Sequence, residues 1–103
     1  MRVDAVPSER LPEPVEAAAY YIVVEALTNA ARYAGAAGAR VAVTVEAGLA
    51  RVEVADDGIG GADPAGSGLR GLADRAEALG GTLVVESPPG RGTVVRASIP
   101  LAG

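Results

Sequence analysis

Apolar residues recur along this chain with two different periods, and the switches between them divide it into elements. Val15, Ala19, Ile22, Ala26 and Ala30 follow the three- and four-residue spacing of a helix that buries one face. Pro12 and Pro14 suit a first turn and Gly35 a stop, so VEAAAYYIVVEALTNAARYAG predicts a helix ending at Gly35. Over residues 40–46 the period drops to two, with Val41, Val43 and Val45 on one face and Ala42, Thr44 and Glu46 on the other. Ala47-Gly48 makes a turn, and residues 50–55 alternate again through Val52 and Val54. That is a β-hairpin with one face on the core. Helical spacing returns at Leu69, Leu72, Ala73, Ala76 and Leu79, stopped by Gly80-Gly81. Residues 82–86 and 93–99 predict two more strands, joined by Ser-Pro-Pro-Gly-Arg-Gly. Residues 1–11 are weakly patterned, with a short edge strand around residues 2–6. Strands joined by tight turns run antiparallel. The order of elements therefore predicts an α/β two-layer sandwich, a mostly antiparallel sheet covered on one face by helices.

Composition narrows the function more than the fold. The 103 residues make one domain, 50% hydrophobic and 21% charged, with no Phe or Trp, so the core is aliphatic. No apolar run approaches the ~18 residues that span a bilayer. The N-terminal residues lack the apolar stretch of a signal peptide, so a cytoplasmic domain without direct membrane contact is expected. The chain has no His and no Cys, which excludes Cys/His zinc sites and nucleophile systems built on histidine. All nine basic residues are Arg, and a Walker P-loop needs a Lys. A net charge of −4 with scattered arginines argues against nucleic-acid binding.

The candidate chemistry lies in three places. Asn29, the chain's single Asn, falls about 20° from the centre of the first helix's buried stripe. Glu25 lies one turn earlier on the same side. Polar groups bordering an apolar face cost free energy unless partnered; a structural Asn with a solvated Glu is the plain alternative to a ligand site. Second, Asp56-Asp57-Gly58-Ile59-Gly60-Gly61 follows an alternating strand, which places a carboxylate and permissive glycines at a strand end. An ordinary turn accounts for Asp-Gly alone. Third, Gly66-Ser67-Gly68-Leu69-Arg70-Gly71 spells GxGxxG at a helix start. A dinucleotide site would need a strand directly before these glycines within a parallel βαβ unit, and Gly-Gly-Ala-Asp-Pro-Ala is not that strand. Free amides at a helix start still attract phosphate. Together the three predict one nucleotide pocket, with the Asn oxygen a hard ligand suited to Mg²⁺.

These stretches resemble the motifs of the GHKL ATPases, the superfamily of gyrase, mismatch-repair ATPases and histidine kinases. Glu25–Tyr33 (EALTNAARY) resembles the N box, Asp56–Gly60 the G1 box and Gly66–Gly71 the G2 box. The tail GLRGLADRAEALGGTLVVESPPGRGTVVRASIPL is similar to that of bacterial sensor histidine kinases of the nitrate-sensor-like subfamily. The likeness runs from about Leu11 onward and implies the Bergerat α/β sandwich. It also implies roles by position. Asn29 coordinates Mg²⁺ bridging the phosphates of ATP, Glu25 acts near the γ-phosphate, and Arg32 reaches the phosphates. Asp56 accepts a hydrogen bond from the adenine amino group, with Thr93 supporting that contact. Gly58 and Gly60 let the chain pass close to the nucleotide; Gly66, Gly68 and the amides of Leu69 and Arg70 face the phosphates.

Two departures stand out. Tyr33 occupies a position where many relatives have His, and the segment between Gly61 and Gly66 makes only a minimal ATP lid, without a recognisable F box. The absence of His also means that the phosphoacceptor of a sensor kinase is missing from this chain. The expectation is a catalytic and ATP-binding domain over residues 1–103, a monomer cut from a longer kinase. It would bind ATP and Mg²⁺ and phosphorylate a histidine on a separate dimerisation domain, with a response regulator downstream. Two alternatives keep the pocket: a serine kinase like the anti-sigma-factor kinases, and a non-catalytic docking module.

Overall fold

A computed structural model describes residues 2–5, 11–31, 38–61 and 67–101. Its elements in chain order are β1 (Arg2–Ala5), α1 (Glu13–Asn29), β2 (Ala39–Glu46), β3 (Leu49–Asp56), α2 (Ser67–Glu77), β4 (Thr82–Glu86) and β5 (Thr93–Pro100). The five strands form one sheet in the order β1-β2-β3-β5-β4. β1 runs parallel to β2 at one edge; every other pairing is antiparallel. The hairpins are those the alternation predicts. The insertion of β5 between β3 and β4 is not written in any local turn. It makes β3 and β4 parallel strands separated by one neighbour and linked through α2.

α1 starts where proline makes it cheap to start. Pro12 offers no side-chain cap, but its carbonyl accepts the Glu16 amide at 2.9 Å, and Glu13 and Glu16 set negative charge against the amino end of the helix dipole. The predicted stripe is the buried one: Val15, Ala19, Ile22, Ala26 and Ala30 are all buried, joined by Ala18. The helix widens into a π-type turn at Ala30 and Ala31, directly after Asn29. The expected stop at Gly35 lies outside the described residues. In α2, Leu69, Leu72 and Ala76 are buried, while Ala73 is half-buried, and Leu79 just past the helix packs on the same core. The Arg75 guanidinium sits 4.2 Å from the centre of the Tyr21 ring and ties α2 to α1 by a cation–π contact.

Both helices lie on the same face of the sheet. Its inner surface is a stack of cross-strand rows: Val52, Ala97 and Leu83, then Val54, Val95 and Val85. Ile22, Leu72, Ile99 and Val52 are the largest side chains wholly removed from water. Val45 departs from the expectation for β2, being 45% exposed. α1 packs on β3 more than on β2, so Val45 lies to the side of the cover that buries its cross-strand partner Ala50. The outer face carries the charges: Arg96 on β5 bonds Glu53 of β3 at 2.9 Å and also Glu86 of β4. Those hydrogen bonds, Glu53 first and Glu86 next, hold the guanidinium pKa above its ordinary value.

The segment after β3 and the loop between β4 and β5 interlock. The Gly61 amide donates to the Ser87 carbonyl at 2.7 Å, and the Gly90 amide donates to the Ile59 carbonyl. The approach leaves no room for side chains. A Cβ on Gly60 would overlap the Pro88 carbonyl, and one on Gly92 the Asp56 carbonyl, with φ at +68° and +77°. Gly71 is the opposite case, a helical glycine with open space around it.

Chemical denaturation checks this packing. Leu72→Ala should cost about 2–5 kcal/mol, because a fully buried side chain leaves a cavity under both helices. Gly92→Ala should cost more than about 2 kcal/mol, combining left-handed strain with the clash. Gly71→Ala should stabilise the chain by roughly 0.5–1 kcal/mol. Equal effects at Gly71 and Gly92 would contradict the interlock.

Candidate functional site

The inner rows of the sheet change character at one end. After Val54, Val95 and Val85, the next positions on β3, on β5 and just beyond β4 are Asp56, Thr93 and Ser87. Three aliphatic groups give way to a carboxylate and two hydroxyls at the edge of the helix-covered layer. Asp56 and Thr93 are direct cross-strand partners, so their side chains stand side by side. Thr93 is the one buried polar side chain among the described residues, and its Oγ1 lies 2.6 Å from Ser87 Oγ.

The two consecutive aspartates have different work. Asp56 Oδ1 accepts the Gly58 amide at 2.8 Å, an Asx-type turn that bends the chain out of the strand. Its second carboxylate oxygen has no hydrogen bond within the described residues. Asp57 faces the start of β2, where its Oδ1 accepts the Gly38 amide at 3.0 Å and its own amide donates to the Gly38 carbonyl at 3.3 Å. A side-chain oxygen thus replaces a backbone carbonyl in the last rung of the ladder. The pairing stops there, and Asp56 is left at a fixed strand end.

α1 and α2 also pack against each other. The backbone of Gly68, in the first turn of α2, lies against the Asn29 side chain; a Cβ on Gly68 would come within 3.3 Å of Nδ2 and 3.5 Å of Oδ1. Any larger residue at 68 would press on that amide. Asn29 and Glu25 are both half-buried, one turn apart on α1, and neither side chain has a hydrogen bond within the described residues. The first-turn amides of α2 have no partner inside the helix. Leu69 turns its side chain into the core, which leaves only its amide for a ligand. Arg70 is exposed and pairs with Asp74 at 3.4 Å one turn on.

The residues singled out from the sequence therefore divide. Asn29 and Gly68 are in contact, and Asp56 and Thr93 are adjacent on the sheet. Gly60 has a structural requirement of its own, the Pro88 carbonyl, beside any closeness to a nucleotide. Arg32, Tyr33 and Gly66 lie outside the described residues. Sequence reasoning missed Asp57, Ser87 and Gly92. Ser87 carried a usable signal, since it continues the inner-facing alternation of Leu83 and Val85.

A lone metal would find little here: no three acidic side chains among the described residues converge. One amide oxygen, with the remaining ligands supplied by phosphates and water, is a donor set that suits Mg²⁺ carried on a nucleotide. No described helix is long and apolar enough to cross a membrane.

Comparison with known proteins places this geometry. The chain is 35% identical over 99 residues to the oxygen sensor histidine kinase NreB of Staphylococcus carnosus, covering 91% of this chain and 28% of that protein. It is 36% identical over 97 residues to the histidine-protein kinase/phosphatase DegS of Brevibacillus brevis, covering 90% of this chain and 25% of that one. It thus spans about a quarter of the length of these curated relatives. Among solved structures, the histidine kinase domain of a blue-light activated kinase of Erythrobacter litoralis superposes with a TM-score of 0.77 at 30% identity, covering 98% of this chain and 51% of that one. The ATP-binding domain of PrrB from Mycobacterium tuberculosis shares the fold, with a TM-score of 0.71 at 23% identity over 100% of this chain and 82% of that one. The model of the histidine kinase-, DNA gyrase B- and HSP90-like ATPases matches residues 15–103, and the chain belongs to that family.

Proposed function

We propose that this domain binds ATP with Mg²⁺ and donates the γ-phosphoryl group to a histidine carried on a separate dimerisation domain, in two-component signalling. The observation that carries the reading is the strand end at Asp56. One carboxylate oxygen is committed to the Gly58 amide, and the other remains to accept a hydrogen bond. An acceptor at the rim of an apolar layer suits the amino group of adenine and opposes the carbonyl that guanine has there. In this reading Asn29 holds the Mg²⁺, which neutralises phosphate charge. Glu25, one turn earlier, acts near the γ-phosphate. The α2 amides at Gly68, Leu69 and Arg70 receive phosphate oxygens, as a helix start favours. Arg32 and Gly66 complete the phosphate contacts.

Transfer breaks the bond between the γ-phosphorus and the bridging oxygen of ATP and forms one to an imidazole nitrogen. ADP leaves and the ring proton passes to base. The domain's share is positioning and electrostatics; the acceptor histidine comes from outside, since the chain has none. A response regulator is the proposed next recipient, and the named kinases among the relatives favour this reading over a serine kinase or a docking module.

Calorimetric titration with ATP and GTP, with and without Mg²⁺, tests the reading. The expected result is saturable ATP binding, strengthened by Mg²⁺, and no GTP binding. Asp56→Ala should weaken ATP at least tenfold, because a charged hydrogen bond is worth about 1.5–3 kcal/mol. Asn29→Ala should leave ATP binding that no longer responds to Mg²⁺. Parent-like titrations would remove the assigned role from either residue.

A further inference from the structure

We propose that Ser87 is a positioning residue that fixes the direction of the Thr93 hydroxyl and thereby selects the edge of the base. This deepens the ATP reading above and rests on it. Thr93 is buried and its Oγ1 is 2.6 Å from Ser87 Oγ, a separation at which one hydroxyl donates to the other. Either direction satisfies the pair; the neighbours decide which one is useful.

Asp56 stands directly across from Thr93 and offers a carboxylate, an acceptor only. A base edge matching it presents a donor first, and on adenine the next atom along that edge, N1, is an acceptor. The polar row must then offer an acceptor followed by a donor. Thr93 has a single hydroxyl proton. For that proton to point at the base, directly or through a water, Ser87 has to be the donor within the pair. The Ser87 backbone is held for this purpose, its carbonyl receiving the Gly61 amide at 2.7 Å. The same arrangement sets two like groups against hypoxanthine, whose edge reads carbonyl then N–H. Selectivity thus comes from a hydroxyl that acts through another.

The test is calorimetric titration of the parent, Ser87→Ala and Ser87→Thr with ATP and with inosine triphosphate. Losing the Ser87 donor frees Thr93 to turn its lone pair outward. The preference for ATP over inosine triphosphate should then fall about fivefold, the worth of one neutral hydrogen bond. Ser87→Thr, which keeps the hydroxyl, should restore it. Should Ser87→Ala unfold, Ser87→Cys keeps the side chain's place with a weak donor and should lower the same ratio. An unchanged ratio in Ser87→Ala or Ser87→Cys overturns the proposal. So does an equal loss of both affinities, or a failure of Ser87→Thr to rescue. A parent that binds neither nucleotide overturns the ATP reading and this one together; a selective parent with an equally selective Ser87→Ala overturns only this one.

Discussion

The contact on which the site depends is a meeting of two backbones with no side chain between them. Gly60 lies against the Pro88 carbonyl and Gly92 against the Asp56 carbonyl, and amides donate across the gap in both directions. Because buried peptide groups must be paired, this crossing satisfies groups that two strand ends would otherwise leave open. It also fixes Asp56 from below while the Asp57–Gly38 clamp fixes the same strand end from the side. The strand end that carries the carboxylate is therefore fixed by backbone geometry, and the Gly58 amide holds one of its oxygens.

Above that end, packing and polarity change together. The aliphatic rows between sheet and helices supply the cohesion, and their last row is replaced by Asp56, Thr93 and Ser87. A polar row there costs little core volume and gains a surface that is dry on one side and wet on the other. Such a boundary strengthens hydrogen bonds relative to open water. In the helical layer Gly68 lies against Asn29, so a change in the first turn of α2 is felt at the side-chain amide of α1. A β-carbon at 68 would make that approach tight and require the Asn29 side chain to give way by a few tenths of an ångström.

Most of the elements were legible because their signals are local. Val15 to Ala26 on α1 and Val52 to Val54 on β3 repeat at the period of their own backbone, and the Ala47-Gly48 turn needs only its own residues, Ala47 taking φ +53°. Asn29, Glu25 and Asp56 were legible as chemistry out of place. What was not legible depends on partners far along the chain. The place of β5 in the sheet is set by which apolar faces match, not by a turn. Gly92 reads as a loop glycine until Asp56 is put beside it, and Asp57 reads as a turn residue until Gly38 arrives. Val45 fits the alternation of β2, yet the reach of α1 decides its exposure.

The central position of β5 has a consequence for how the chain is made. Among the described strands it is the last to leave the ribosome, and it joins β3 to β4. Until residues 93–100 emerge, β3 has an open edge and β4 has no partner. The nascent chain then holds a helix-covered half-sheet with a gap where Val95, Ala97 and Ile99 belong. Completing the sheet requires these pairings between segments far apart in the chain. The row that holds Asp56, Thr93 and Ser87 is complete only once β5 is in place.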